Sequence, residues 1–180
     1  MRKVIFLLSI FMFFFKTSAS GNYEKKIYDF SIESITGETI NFKEYKNKVI
    51  LVVNTASYCG FTNQYRDLQK LWDKYGEDKL AVIGIASDSV NYKESPDNDQ
   101  MRQVCRDRFG VMYPMMDKVV IGGQGQHLFF EWASSEGFKV IWNFKKLVIN
   151  KDGEIVKRLG KKVEAMKGLN SVEKTVKKHL

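Results

Sequence analysis

Hydrophobic positions along the chain follow two different periods after residue 20. Residues 49–53 and 80–85 are short, continuous apolar runs, which is typical of strands buried on both faces of a sheet. Between them, over residues 62–75, apolar side chains recur at helical spacing and predict a helix. A second helix is predicted from Asp97, a candidate N-cap, to about Phe109. This part of the chain therefore alternates predicted strands with predicted helices.

Two β-hairpins are predicted outside this alternating region. Residues 34–40 favour a hairpin that turns at Thr36-Gly37. Later in the chain, residues 144–149 and 154–159 are candidate strands on either side of a turn at 150–153. Successive strands of a hairpin run antiparallel, so these segments add antiparallel strands to the parallel ones.

The order of elements predicts the fold class. After the second hairpin, Asn170 and Glu173 have the spacing of a capping box and predict a short last helix. Strand, helix, strand, helix implies a parallel core with helices packed on both faces. We therefore expect an α/β thioredoxin-like sandwich, in which a central mixed sheet is flanked by helices.

The first twenty residues have the layout of a secretory signal peptide. A basic start at Arg2 and Lys3 precedes an apolar run over residues 4–15, and small residues follow it. Cleavage is expected after Ala19 or Ser20, with an uncleaved membrane anchor as the alternative. The run is shorter than the ~20 residues that a transmembrane helix needs. We therefore expect an exported protein, periplasmic or secreted, without stable membrane insertion.

Composition and charge narrow the function classes for residues 21–180, which we expect to form one domain. The chain is 44% hydrophobic, and its leader contributes three of the eight net positive charges. The remaining excess lies mostly near the C-terminus and favours a solvated basic surface over a nucleic-acid interface. Two cysteines and two histidines are too few for a disulfide scaffold or a four-ligand zinc site. No metal or cofactor is expected.

Cys59 is the first candidate for chemistry, because it follows the strand predicted at 49–53 and lies at or just before the start of a helix. Helix N-termini favour a thiolate, which is the reactive form of cysteine. Gly60 allows the backbone to turn tightly beside the sulfur. An inert buried cysteine is the alternative interpretation of this position.

Three segments carry a resemblance to a known family. Residues 52–62, Val-Val-Asn-Thr-Ala-Ser-Tyr-Cys-Gly-Phe-Thr, closely resemble the active-site segment of the cysteine-type glutathione peroxidases. Trp142-Asn143-Phe144 is similar to the second signature of that family, and residues 109–115 are similar to its connecting segment. The resemblance extends from about Ile27 to the C-terminus.

The resemblance implies a thiol peroxidase with Cys59 as its nucleophile. The thiolate attacks one peroxide oxygen and becomes a sulfenic acid, while water or an alcohol leaves. Trp142 and Asn143 match the family's hydrogen-bond donors to the departing oxygen. Core packing of Trp142 and a turn contact of Asn143 are the alternative interpretations.

The chain departs from the family after its second buried strand. The usual Phe-Pro-Cys-Asn-Gln-Phe segment is absent, and Lys93 occupies the position of the family's catalytic glutamine, with Glu94 at the following acid. Lys93 either takes over part of the glutamine's role or points to solvent.

Cys105 matches the resolving cysteine of the thioredoxin-dependent members. A resolving thiol attacks the sulfenic acid and closes a disulfide, which thioredoxin or another thiol such as glutathione then reduces. A buried apolar cysteine and a permanent disulfide are the alternatives. The chain lacks the long insert of tetrameric members, so a monomer is expected. A thiol–disulfide oxidoreductase, although Thr62 replaces the second cysteine of a C-x-x-C motif, and a non-enzymatic redox sensor are the competing functions.

Overall fold

The computed structural model describes residues 25–87, 94, 97–160 and 169–180. The predicted signal peptide at residues 1–20 and the site candidate Lys93 therefore lie outside the described residues.

Seven strands and four helices make up the described fold. The strands are β1 (Ser31–Glu33), β2 (Thr39–Asn41), β3 (Val49–Thr55), β4 (Leu80–Ala86), β5 (Met115–Met116), β6 (Lys146–Ile149) and β7 (Ile155–Leu159). The helices are α1 (Gln64–Tyr75), α2 (Asn98–Arg102), α3 (Leu128–Ser135) and α4 (Asn170–His179). Helix α2 continues directly into a π-helix (Gln103–Arg108), and short 3₁₀ turns occur at Ile27–Asp29 and Phe42–Tyr45.

A five-stranded mixed sheet forms the centre of the molecule, in the order β5-β4-β3-β6-β7. Strands β3, β4 and β5 are parallel to one another, β6 runs antiparallel to β3, and β7 pairs antiparallel with β6 as the predicted hairpin requires. The hairpin β1–β2 is a separate antiparallel pair that turns at Gly37, whose φ of 85° suits glycine. The expected α/β sandwich with a mixed sheet is confirmed.

Each face of the sheet is covered by its own apolar layer, because neighbouring residues of the buried strands point to opposite sides. Leu51 and Val148 belong to the layer that includes apolar residues of α1, α2 and α4. Ile50 and Leu147 belong to the layer that includes α3 and the N-terminal segments. Every residue of β3 and β4 is buried, as their continuous apolar sequences predict.

The boundaries of several elements differ from the sequence-based expectations. Helix α1 begins at Gln64 rather than Thr62, and β6 begins at Lys146 rather than Phe144. Phe144 has a φ of 60°, which is incompatible with extended strand geometry. Helix α3 was not predicted, and it begins where the Nδ1 atom of His127 accepts the Phe129 N–H.

The predicted capping box at the last helix is wrong. The N-cap of α4 is Leu169, without a side-chain capping hydrogen bond, and Asn170 is already the first helical residue. The Glu173 carboxylate instead accepts hydrogen bonds from α1, from the Lys74 amine and the Tyr75 hydroxyl. Glu173 therefore links α4 to another helix.

Neither a candidate membrane span nor a candidate metal site occurs within the described ranges. None of the helices there combines the length and apolar character required to cross a membrane. Within those same ranges, His, Cys, Asp and Glu side chains do not gather in groups of three or more that could hold a metal ion. His127 and His179 lie on or beside different helices.

Candidate active site

Cys59 lies in a tight turn between the end of β3 and the start of α1. Its carbonyl accepts the Thr62 N–H at 3.0 Å, and further three-residue turns continue from there into the helix. Helix α1 starts at Gln64, so Cys59 precedes the helix, as one of the two expected placements has it, with a turn of several residues between them. The residue is partly exposed and its thiol is free.

Thr62 fixes the shape of this turn through its hydroxyl group. Its Oγ1 atom accepts the Cys59 N–H at 3.0 Å and lies 2.6 Å from the Cys59 carbonyl oxygen, to which it donates. The side chain is buried, at 6% exposure. Thr62 occupies the position of the second cysteine in a C-x-x-C motif. In this protein its hydroxyl group stabilises the turn that contains Cys59.

A second turn reaches the same edge of the sheet. Trp142 and Asn143 directly precede the start of β6, which pairs antiparallel with β3, so the start of β6 lies beside the end of β3. Asn54 in β3 joins the two. Its side-chain amide donates to the Trp142 carbonyl at 3.1 Å, and its Oδ1 accepts the Lys145 N–H at 2.9 Å.

The backbone of this second turn is unusual. The Phe144 N–H donates to the Asn54 carbonyl at 2.7 Å, while Phe144 itself has a φ of 60°. A bulky residue in the left-handed region costs free energy and persists where surrounding contacts hold it. The hydrogen bonds to Asn54 therefore stabilise this turn in an otherwise unfavourable conformation, and the turn orients Trp142 and Asn143.

The two predicted donors differ in exposure. Asn143 is buried, at 2% exposure, whereas Trp142 is 47% exposed. Tyr58 and Ile141, at 52% and 67%, are the exposed apolar neighbours in sequence of Cys59 and Trp142. We call Tyr58, Ile141 and Trp142 the apolar rim. Core packing of Trp142, the alternative interpretation, does not fit this exposure.

A third segment is attached to the cysteine turn by Glu94. Its carboxylate accepts the Ser57 N–H at 3.1 Å, and the residue is 6% exposed. It follows β4, whose C-terminal end lies beside that of β3 because the strands are parallel. The stretch that replaces the family's usual segment therefore contributes a buried carboxylate to the loop that holds Cys59.

Cys105 lies in the π-helix and is completely buried. Its thiol is free, and its sulfur lies 3.5 Å from the Arg102 carbonyl oxygen. Burial raises the pKa of the Cys105 thiol to about 11, so the group is protonated at neutral pH. Burial also raises the pKa of Tyr65 and of Tyr113, which belong to the same apolar layer.

The structure brings some predicted residues together and keeps others apart. Cys59 lies on the turn after β3, and Trp142 and Asn143 lie on the turn that Asn54 of β3 binds. Cys105 packs within the apolar layer that Cys59 also contacts, but the two cysteines form no disulfide. A permanent disulfide, one alternative for Cys105, is therefore not present.

Sequence reasoning missed two polar residues that support the site. Asn54 and Lys146 are each buried within otherwise apolar strands. The Lys146 amine donates to the Gln64 side-chain carbonyl at 2.6 Å and to the Phe144 carbonyl at 2.8 Å. An isolated polar residue in a buried strand was the available signal, because such a group needs a specific partner.

Comparison with known proteins identifies the family. Residues 27–134, more than half of the chain, match the sequence profile of glutathione peroxidase. The chain belongs to the glutathione peroxidase family. The expectation of a peroxidase, an oxidoreductase that acts on peroxide, is thereby confirmed. Trp142 and Asn143 lie beyond the matched residues, so their assignment depends on the second signature and on the geometry described above.

Individual relatives agree with the family assignment. A glutathione peroxidase-like peroxiredoxin of Candida albicans is 39% identical over 143 residues, covering 74% of this chain and 83% of that protein. A hydroperoxy fatty acid reductase of Synechocystis is 33% identical over 145 residues, covering 74% and 86%.

Solved structures extend the similarity to the fold. The crystal structure of T. cruzi GPX1 has a TM-score of 0.65 and 25% identity, covering 86% of this chain and 96% of that one. A thiol:disulfide interchange protein of the thioredoxin family from Chlorobium tepidum has a TM-score of 0.61 at 17% identity, covering 83% and 92%. The latter similarity concerns the fold alone and confirms that the chain has a thioredoxin-like architecture.

Proposed function

We propose that this family member is a two-cysteine thiol peroxidase in which Cys59 reacts with the peroxide and Cys105 resolves the product. The observation that carries the proposal is the free, partly exposed Cys59 thiol on a turn beside the Trp142-Asn143 turn. The cysteine-centred family membership and the second free thiol at Cys105 support it.

In the first step, the Cys59 thiolate attacks the nearer oxygen of a hydroperoxide. The O–O bond breaks, a sulfur–oxygen bond forms, and the other oxygen leaves as water or an alcohol after taking up a proton. Sulfur is oxidised and the peroxide reduced by two electrons. The Trp142 indole N–H and the Asn143 amide are the proposed donors to the departing oxygen.

In the second step, the Cys105 sulfur attacks the Cys59 sulfenic acid and releases water, which leaves a disulfide. Cys105 is completely buried, and its raised pKa keeps it protonated, so it does not compete for peroxide while the helix is folded. Disulfide closure therefore requires local opening of the π-helix. A dithiol of the thioredoxin type then reduces the disulfide to two thiols.

The apolar rim supports organic hydroperoxides as substrates beside hydrogen peroxide. Tyr58, Ile141 and Trp142 are each about half exposed or more on the two turns that flank the thiol. An apolar chain attached to the peroxide can cover this surface and so remove it from water. The Synechocystis relative, named a hydroperoxy fatty acid reductase, is consistent with this preference.

The setting of the reaction is also part of the proposal. The layout of residues 1–20 supports export to the periplasm or outside the cell, and we propose a monomer without a nucleic-acid partner. The described basic residues near the C-terminus, which include Lys157, Arg158, Lys177 and Lys178, are exposed to solvent and lie on two different elements.

The decisive experiment measures peroxide consumption by the purified protein with thioredoxin or with glutathione as reductant. Wild type is expected to turn over with thioredoxin, and Cys59→Ser is expected to abolish this activity. Cys105→Ser, the matched control, is expected to consume about one equivalent of peroxide per chain and then stall, because Cys59 oxidation needs no second thiol.

Two outcomes would contradict the proposal. Wild-type activity in Cys59→Ser would remove the assigned nucleophile. Full thioredoxin-linked turnover in Cys105→Ser, with over-oxidised Cys59 and a free Cys105 in peroxide-treated wild type, would replace the two-cysteine cycle by a one-cysteine cycle. Disulfide exchange without peroxide consumption would favour the thiol–disulfide oxidoreductase. If the protein catalyses neither reaction, the result would favour the non-enzymatic sensor.

A further inference from the structure

A completely buried lysine lies beneath the two turns of the candidate site. Lys146 is the first residue of β6 and has 0% exposure. Its amine donates to the Gln64 Oε1 atom at 2.6 Å and to the Phe144 carbonyl oxygen at 2.8 Å. Lysine is rarely buried to this extent, since its amine must find polar partners inside the protein.

The two acceptors belong to the two segments that carry the proposed chemistry. Gln64 is the first residue of α1 and is 5% exposed. It follows the series of hydrogen-bonded turns that begins with Cys59. Phe144 directly follows Trp142-Asn143 and has the left-handed backbone conformation. A single amine thus connects the cysteine turn with the donor turn.

Lys146 lies among apolar residues of its own strand. It pairs with Val53 and Leu159 through the backbone of the sheet. Val148, two residues further along the same strand, lies within the apolar layer that contains α1. The amine is therefore held inside an apolar region by its hydrogen bonds to the Gln64 and Phe144 oxygens, which a variant without the amine would lose.

We infer that Lys146 is a positioning residue for the peroxidase reaction, which holds the Trp142-Asn143 turn at a fixed distance from Cys59. The inference rests on the proposed function. It assigns to Lys146 no contact with peroxide. Its effect passes through the Gln64 side chain on one side and the Phe144 carbonyl on the other.

The test measures the rate of Cys59 sulfenic acid formation after a pulse of hydrogen peroxide, in a Cys105→Ser background. Lys146→Met keeps the length of the side chain and removes the donor. It is expected to lower the second-order rate constant about 10- to 100-fold, the range that misplacement of reacting groups by about 1 Å produces. Gln64→Met removes one acceptor and serves as a second variant should Lys146→Met fail to fold.

Val148→Ala is the matched control for lost stability. Val148 is buried on the same strand and within the layer that contains α1, but it has no polar link to either turn. It is expected to lower the melting temperature and leave the peroxide rate within about twofold, as expected for loss of core packing alone. A rate loss in Val148→Ala equal to that in Lys146→Met would overturn the positioning role.

A double-mutant cycle separates positioning from other effects. In a Trp142→Phe, Asn143→Ala background the proposed donors are gone, so Lys146→Met is expected to lower the rate by less than about threefold further. Fully additive rate losses would contradict the inference.

The outcomes also separate this inference from the proposed function. If wild type forms no sulfenic acid at Cys59, the peroxidase proposal fails and the positioning role fails with it. If wild type reacts while both Lys146→Met and Gln64→Met keep its rate, the peroxidase proposal stands and the positioning role is overturned.

Discussion

Asn54 shows how one polar side chain in a buried strand can organise a site. Its amide and carbonyl groups bind the backbone of Trp142 and Lys145 across the sheet edge. Asn54→Ala is expected to lower stability by about 1–3 kcal/mol, because buried backbone groups lose their partners. The rate of peroxide reduction is expected to fall about tenfold or more, because the donor turn is released.

Asn150→Ala is the matched control for this prediction. Asn150 also uses its side-chain oxygen to hold a turn, accepting the N–H groups of Asp152 and Glu154, but it lies at the opposite end of β6. Melting temperature and peroxide rate are measured on both variants. A comparable drop in rate in Asn150→Ala would show that lost stability, rather than lost geometry, lowers activity.

The two thiols are expected to differ in reactivity. With a pKa of about 11, Cys105 is a thiolate in about one molecule in a thousand at pH 8, and its side chain is completely buried. Iodoacetamide at pH 8 is therefore expected to label Cys59 in the native protein and Cys105 only in urea. Peptide mass spectrometry shows which of the two cysteines is labelled first. Equal labelling rates of Cys59 and Cys105 in the native protein would contradict the burial of Cys105.

The raised pKa of Cys105 also predicts how its contribution to the free energy of unfolding changes with pH. Since the folded protein holds the Cys105 proton more tightly than the unfolded chain, whose ordinary value is 9.0, this contribution is complete below pH 9. It is lost as the pH rises through about 11. Urea unfolding of wild type and Cys105→Ala is expected to show their difference in stability shrinking over this range.

The sequence predicted the residues that we propose to react, but it did not predict the ones that support their turns. Cys59, Trp142 and Asn143 stand in contiguous motifs, which a single chain displays. Asn54 and Lys146 act through partners that are distant in sequence, 88 and 82 positions away for Trp142 and Gln64. Such partners become visible only when the pairing of β3 with β6 is known.

The π-helix is the element that the proposed cycle must open. Arg66 of α1 contacts the C-terminal end of the π-helix. Its guanidinium group donates to the Arg108 carbonyl at 3.2 Å and lies 4.9 Å from the centre of the Phe109 ring. Arg66→Met keeps an apolar stem and removes this bond. It is expected to speed Cys59–Cys105 disulfide formation about two- to fivefold, since a net hydrogen bond contributes about 0.5–1 kcal/mol.

Quenched mass spectrometry after a peroxide pulse measures that rate, and Arg102→Met is the control. Arg102 is another exposed arginine, but its ion pair with Asp99 stays within one helix. Sulfenic acid formation is expected to be unchanged in both variants. Disulfide formation at the wild-type rate in Arg66→Met would show that this contact does not limit the opening.

Long elements were predictable, and short ones were not. The strands β3 and β4 have uninterrupted apolar sequences, and α1 has a regular apolar period, so their patterns are strong. Strand β5 spans only Met115–Met116 and owes its conformation to pairing with β4. The π-helix cannot be distinguished from an α-helix by periodicity, because it occupies only 103–108.

At the scale of the whole molecule, Glu173 attaches the last helix to α1. Its carboxylate accepts hydrogen bonds from the Lys74 amine at 2.6 Å and the Tyr75 hydroxyl at 2.7 Å. These bonds lower the pKa of Glu173, while burial and the carboxylate raise the pKa of Tyr75 to about 12. Glu173→Gln is expected to lower the melting temperature by about 2 °C at pH 7, as suits a largely exposed pair.

The pH dependence follows from the signs of both shifts. The Glu173 contribution is present above its ordinary pKa of 4.5 and is lost as the pH falls, whereas the Tyr75 contribution is lost as the pH rises from 10 towards 12. Wild type and Glu173→Gln are expected to converge in melting temperature near pH 3. Glu77→Gln, at an exposed position of the loop after α1, is the control and should show no difference at pH 7.

The last prediction concerns export of the protein. A basic start, an apolar run and small residues before Gly21 favour removal of the leader during secretion. The first buried side chain that the structure describes near the N-terminus is Ile27, in a 3₁₀ turn, so cleavage after Ala19 or Ser20 leaves the described fold intact. Intact-mass analysis of protein from the native host should therefore find a chain that begins near Ser20 or Gly21.

A double substitution at the expected cleavage site tests the export prediction directly. Replacing both small residues, Ala19→Arg with Ser20→Arg, is expected to leave the leader attached and the protein held at the membrane, because peptidase cleavage requires small side chains. Ser31→Arg, a change at an exposed serine outside the leader, should be processed normally. Recovery of uncleaved wild-type protein from the soluble cytoplasm would contradict export and place the peroxidase where disulfides are kept reduced.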